Sequence, residues 1–192
     1  YQGGKGSIAK FIAIYINEAL NGELDYYEPF LGGNNLLRHI VTDGQKTVSD
    51  FNKYIIAYWT QIQNDWQPPE HVSEDEYYMV KNNPDAYSDH YVAFVLIGSS
   101  FSKMWCGGYA RSYPRNFAAE SKRNSMKKKD SLNNVVINSH SYLDIRPNNS
   151  VIYCDPPYIN TKKYHGAKFN HDEFYQWCID VSKNNYIFNC NN

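Results

Sequence analysis

Val151-Ile152-Tyr153-Cys154-Asp155-Pro156-Pro157-Tyr158 is the stretch on which the fold turns. Its apolar half reads as a strand that delivers one acid to its carboxyl end, where open α/β sheets bind ligands. Working outward, residues 24–30 look extended and end in the small-residue turn Gly32-Gly33-Asn34-Asn35, followed by the apolar run Leu36-Leu37-Arg38-His39-Ile40, so that strand, tight turn and helix follow one another. A second extended segment, Thr47-Val48-Ser49-Asp50-Phe51, precedes a helical pattern through Tyr54, Ile55, Tyr58, Trp59 and Ile62. After Val135-Val136-Ile137 and the quoted strand comes a helix with Phe174, Trp177, Cys178 and Val181 at i, i+3, i+4, i+7 and Asn170 as N-cap. Strand and helix alternating in this way predict an α/β sheet.

Ahead of these, Ile8, Phe11, Ile12, Tyr15, Ile16 and Ala19 keep close to helical period until Asn21-Gly22 stops the run. The middle has a different texture. Pro68-Pro69 breaks the chain, Ser73-Glu74-Asp75-Glu76 has capping-box spacing, and Asn83-Pro84 ends that helix. A long apolar run, 91–105, leads through Gly107-Gly108 into a basic block. Residues 65–134 are therefore expected to form a mostly helical insertion, with 1–64 and 135–192 as the core.

At 192 residues the chain fits one compact domain. It contains neither a long apolar span nor a secretory pattern, so the expectation is a protein of the cytoplasm. The sequence starts at Tyr1 and stops at Asn192 within strand-like residues, which suggests that the natural protein extends further. Cys106, Cys154, Cys178 and Cys190 lack paired spacing and are expected to be buried thiols. Together with His165 and His171, two of them superficially offer metal ligands, but the spacing fits no zinc pattern, and no metal is expected. The net charge of -1 hides an asymmetry: residues 111–129 carry seven cations against Glu120, a local +6. Such a block suits a polyanion or a plain solvated helix face. Phe101, Trp105, Tyr109, Tyr113 and Phe117 lie near it. They could stack on bases at ~1–3 kcal/mol each, although most aromatics serve a core.

The chemistry concentrates at Asp155-Pro156-Pro157-Tyr158. Two prolines fix the backbone and remove neighbouring N–H groups, leaving an acceptor-rich clamp beside a flat ring. Such a clamp fits a planar amine. If the Asp155 carboxylate and the Pro156 carbonyl each accept one N–H of an adenine amino group, the nitrogen can pyramidalise and present its lone pair to a sulfonium methyl. Tyr158 can stack on the base, which must leave the duplex to reach the clamp.

With these residues in view, the chain resembles the DNA adenine amino-methyltransferases of the GATC-methylating type and their phage relatives. Tyr1-Gln2-Gly3-Gly4-Lys5 is similar to the family's N-terminal G-G-K element, Tyr27-Glu28-Pro29-Phe30-Leu31-Gly32-Gly33 to its E-P-F-x-G turn, Ser49-Asp50-Phe51-Asn52 to its S-D-x-N, and Asp155-Pro156-Pro157-Tyr158 to its catalytic D-P-P-Y. The four elements occur in the family's order. Related N-P-P-Y clamps serve glutamine and RNA methyltransferases, against which the upstream series argues. Where the family's turn has a last glycine, this chain has Asn34, a residue that tolerates positive φ.

The resemblance implies a Rossmann-like S-adenosylmethionine-dependent methyltransferase: an α/β fold with a central mixed sheet and a helical DNA-recognition insertion. It implies Asp155, Pro156, Pro157 and Tyr158 as the catalytic residues. Tyr1, Lys5, Glu28, Phe30, Gly32, Asp50, Phe51 and Asp155 would hold the cofactor, S-adenosylmethionine. Residues 90–129 are similar to the part of phage members that touches DNA, and within and beside the basic block Lys103, Arg111, Arg115, Lys122, Arg123 and Lys127 would contact the duplex. The partner is double-stranded DNA, the free protein a monomer, and the setting bacterial or phage-infected cytoplasm, with restriction-modification as one context. Asp50 could equally cap the following helix, Lys5 be an ordinary surface lysine, and Gly32-Gly33 only make a turn. Two rival functions stand beside this one: an inactive relative that occupies DNA, motivated by Asn34 and the short C-terminus, and an enzyme acting on RNA.

Overall fold

The computed structural model describes residues 5–111, 114–158 and 169–190. They fall into two compact units. Among the described residues, one comprises Lys5, Gly32–Arg38 and those within Lys53–Asn133; the other comprises Gly6–Leu31, His39–Asn52 and those within Asn134–Asn192.

The second unit holds a five-stranded sheet: β1 (Asp25–Glu28), β2 (Lys46–Ser49), β3 (Val135–Asn138), β4 (Ser150–Cys154) and β5 (Tyr186–Asn189), in the order β3-β2-β1-β4-β5. All four pairings are parallel. The α/β expectation stands, but no antiparallel strand that would make the sheet mixed is among the described residues. β1 has β2 on one side and β4 on the other, so the strand order reverses between β1 and β4. In an open sheet that reversal leaves a crevice at the strands' carboxyl ends. Glu28 ends one of these strands, and Asp155 follows the other.

β4 is buried throughout, as a central parallel strand requires. Against it packs α1 (Ala9–Leu20), which buries Ala9, Ala13, Ile16 and Leu20 and ends at Asn21, left-handed at φ 49°. This corrects the face expected from Ile8, Phe11 and Tyr15, which are exposed. Both faces of α1 are apolar, so periodicity could not choose between them; the alanine face lets the helix backbone come closer to the sheet. On α6 (His171–Ser182) the expectation holds: the Asn170 side chain accepts the Glu173 N–H, and Phe174, Trp177 and Val181 are buried.

The helix expected over 36–40 shortens to a 3-10 turn, Leu37–His39. Asn17 gives the reason: its amide donates to the His39 carbonyl and accepts the Val41 N–H, so this backbone is held outside a helical ladder. The thiol expectation is also corrected. All four cysteines are free, but only Cys154 is fully buried.

The first unit is helical, with α2 (Lys53–Gln63), α3 (Glu74–Asn82), α4 (Asp89–Ala93) and α5 (Phe117–Met126). A π-helical turn, Phe94–Gly98, continues α4. Ser73 and Glu76 form the full capping box at the start of α3. At the centre, the Tyr58 hydroxyl donates to Ser125 Oγ at 2.6 Å, and burial pushes its pKa up to about 12. Burial does the same to Tyr142 in the sheet unit. A tyrosine whose folded pKa is raised favours folding fully below its unfolded value near 10 and loses that contribution as pH rises towards 12. The contribution of Tyr58, read as the difference between the protein and Tyr58→Phe, is therefore expected to be level from pH 7 to about 9 and to fall above pH 10, by roughly 1 kcal/mol per pH unit. Urea unfolding across pH 8–11.5 measures this, and a difference that stays flat to pH 11.5 would refute it.

Candidate active site

The clamp loop leaves β4 between two paired neighbours. Cys154 aligns with Asn189 of β5, and the ladder runs one step further through the Cys190 N–H to the Cys154 carbonyl at 3.1 Å. The Tyr153 hydroxyl meets Cys190 Sγ at 3.2 Å. The backbone entering Asp155 is thus held along β5. Asp155 is half-buried, Pro156 buried, Pro157 half-buried, and Tyr158 exposes 40 % of its surface. A carboxylate on a fixed strand end followed by a partly open ring can grip a flat polar ligand.

At the end of β1, Glu28 is 3 % exposed and its Oε2 accepts the Tyr26 hydroxyl at 2.9 Å. The next turn is tied to β2: the Leu31 N–H donates to the Ser49 carbonyl at 2.9 Å, joining the Glu28-Pro29-Phe30 and Ser49-Asp50-Phe51 segments. Asp50 Oδ1 accepts the Asn52 N–H at 2.9 Å, which fixes the carboxylate locally just ahead of α2. Phe51 is 75 % exposed, an open ring beside that acid. Phe30 differs from expectation. Its half-buried ring packs edge-on against Phe174 and Phe169 and tilts against Tyr142, so much of the side chain belongs to the apolar cluster under the sheet.

A cavity of 210 Å³ lies over β1, β2 and β3, lined by Tyr27, Thr47, Ser49, Asn138, His140 and Arg146 among others. Ser49 and Asn138 are register partners at the ends of adjacent strands. The Ser49 hydroxyl is buried and has no hydrogen-bond partner among the described residues, a state that costs about 1–3 kcal/mol unless a ligand or water relieves it. Asp50, an acid suited to vicinal hydroxyls, and the open Phe51 ring beside it fit an adenosine group, although neither is among the residues that line this cavity. Ser49 and Asn138 were missed as lining residues in the sequence, although their place at parallel strand ends was the available signal.

In the helical unit, Gly32 has φ 45° and Asn34 φ 48°. Asn34 thus takes the left-handed conformation that a glycine would adopt freely. The Gly32 carbonyl accepts Trp59 Nε1 at 2.9 Å. Lys5 is half-buried. Tyr1 and His165 lie outside the described residues.

Most of the basic block has acidic partners. Arg111 pairs with Glu74, Arg115 bidentately with Glu120 at 2.7 and 3.0 Å, Lys122 with Glu70 at 2.8 Å, and Lys129 with Asp65. Glu70, Glu74 and Asp65 lie outside residues 111–129, so a local charge count could not register them. Arg123 and Lys127 are exposed and form no ion pair among the described residues. Lys103 needs correction as a duplex contact: its ammonium turns inward to the Gly98 carbonyl and the Ser121 hydroxyl, and burial pushes its pKa down to about 8. The π-helical end at Gly98 leaves a carbonyl that this lysine satisfies. Exposed ion pairs contribute only ~0–1 kcal/mol, so Arg111 and Arg115 can exchange a carboxylate for a phosphate. Arg123→Gln with Lys127→Gln is expected to reduce the slope of log duplex affinity against log salt by about 2, measured by anisotropy titration. An unchanged slope would remove both from the interface.

Among the described residues no group of three or more His, Cys, Asp or Glu side chains could hold a metal ion, and no helix is long and apolar enough to cross a membrane. A family model described as D12 class N6 adenine-specific DNA methyltransferase matches residues 1–177. Comparison with curated proteins finds no match.

Proposed function

The chain belongs to the D12 class of N6 adenine-specific DNA methyltransferases and methylates adenine in DNA, and on that premise we propose which of its residues do the work. The family is generally dependent on S-adenosylmethionine, which when bound supplies the electrophilic methyl group. In this reading Asp50 receives the ribose hydroxyls, Phe51 lies against the adenine ring, and Glu28 with the Phe30 backbone lines the turn beside them. Lys5, Tyr1 and the Gly32 turn hold the methionine end.

Asp155 and the Pro156 carbonyl each accept an N–H of the target amino group, which draws the nitrogen lone pair out of the ring. Pro157 keeps the clamp rigid, and Tyr158 stacks on the flipped base. Catalysis then comes from positioning and from acceptors fixed before the substrate arrives. Residues 65–134 serve target recognition. Arg123 and Lys127 meet the backbone directly, while Arg111, Arg115 and Lys122 do so by exchanging their carboxylates for phosphates. The reaction belongs in the cytoplasm, on double-stranded DNA, with a monomer as the acting species.

The observation that carries this reading is the sheet's reversal point: the only two acids that end or directly follow its two flanking strands among the described residues are Glu28 and Asp155. The test is transfer of a labelled methyl group from S-adenosylmethionine to a pool of unmethylated duplexes, with matched RNA as comparison. Label on the amino group of adenine in duplex DNA supports the assignment. Label confined to RNA, or none with cofactor and duplex both bound, overturns it.

A further inference from the structure

Lys128 belongs by sequence to the basic block, yet its ammonium does not face outward. It donates to the Gly33 carbonyl at 2.6 Å and to Asn35 Oδ1 at 2.8 Å, and it lies 5.7 Å from the centre of the Trp59 ring. Trp59 in turn donates to the preceding carbonyl, that of Gly32. Two successive carbonyls of the glycine turn are therefore fixed by side chains from α2 and from the segment just after α5. Gly32 and Asn34 are both left-handed, and the buried Asn34 amide makes no hydrogen bond from either of its polar atoms among the described residues.

We propose that Lys128 is a positioning residue, which sets the orientation of the Gly32–Asn35 turn towards the cofactor and makes no contact with DNA. In a trans peptide the N–H points opposite to the C=O. With the Gly32 carbonyl on Trp59 and the Gly33 carbonyl on Lys128, the Gly33 and Asn34 N–H groups face away from the helices that supply the clamps. A turn whose peptide planes are held this way presents its backbone donors to a ligand without first having to reorganise. The anchor stands in the recognition segment, within the same compact unit as the turn. The inference rests on the reading that this turn holds the methionine end of S-adenosylmethionine.

Lys128→Met keeps most of the unbranched side chain and removes its donors. Cofactor binding is measured by calorimetry without DNA, and duplex binding by a salt titration, for the wild type, Lys128→Met, Lys128→Arg and Lys127→Met. The expected result is cofactor affinity about ten-fold weaker in Lys128→Met, as for one lost charge-assisted hydrogen bond, and largely restored in Lys128→Arg. The salt slope should stay at the wild-type value in Lys128→Met and fall by about 1 in Lys127→Met. A fall of the slope by about 1 in Lys128→Met, with unchanged cofactor affinity, would make Lys128 a phosphate contact and overturn the inference. Wild type that binds no cofactor overturns this inference and the reading beneath it together, whereas wild type and Lys128→Met binding equally well overturns the inference alone.

Discussion

Asp155→Ala is expected to lower methyl transfer to duplex DNA, at saturating cofactor, by about 10²–10⁴-fold while leaving duplex affinity and the thermal midpoint close to wild type. The range is that of losing a group whose interaction develops in the transition state. An adenine amino nitrogen becomes a nucleophile only as its lone pair leaves the ring, and the N–H bonds become better donors along that path, so a carboxylate acceptor helps most at the top of the barrier. Asp155 is only half-buried and its strand is held by neighbours on both sides, so truncation opens no void in the core. Asp155→Asn retains a carbonyl acceptor without the charge and should fall between wild type and alanine. Single-turnover rates with saturating cofactor and duplex measure the step itself. Alanine within ten-fold of wild type would remove Asp155 from the chemistry.

The sheet was legible because its strands are short apolar runs that end in distinctive residues, and β4 with α6 and its Asn170 cap could be placed almost to the residue. Three features were not legible, each for a physical reason. The buried face of α1 could not be chosen, since more than one face carries apolar residues, and small alanines won over Phe11 and Tyr15. The helix at 36–40 failed because Asn17, some twenty residues earlier, captures the backbone on which it would have grown. The basic block misled because ion pairing is a property of three dimensions: Asp65, Glu70 and Glu74 lie far from it in sequence, and Lys103 and Lys128 turn inward to carbonyls that no local pattern reveals. The motifs of the candidate site could be read in sequence because they are contiguous. What supports them could not, because it is assembled from distant segments.

The same distinction between motif and support separates two phenylalanines. Phe174 is fully buried, with ring centres 5.4–6.0 Å from Tyr142, Phe169, Phe30 and Trp177. Phe174→Ala leaves a void that those rings cannot all close, and it is expected to cost about 3–5 kcal/mol, a large share of the ~5–15 kcal/mol that holds a domain folded. For a chain of this length the thermal midpoint should fall on the order of 10 °C. Because Phe30 loses one of its two edge-on partners, the turn after Glu28 loosens as well, so cofactor affinity should decline together with stability. Phe51 is 75 % exposed, and Phe51→Ala should leave stability within about 0.5 kcal/mol while weakening cofactor binding. Urea unfolding and calorimetry on the two variants therefore give opposite patterns: one loses stability first and binding as a consequence, the other loses binding alone. Phe174→Ala within 1 kcal/mol of wild type would show that the cluster closes around the gap, and the link from the core to the Glu28-Pro29-Phe30 turn would then be lost.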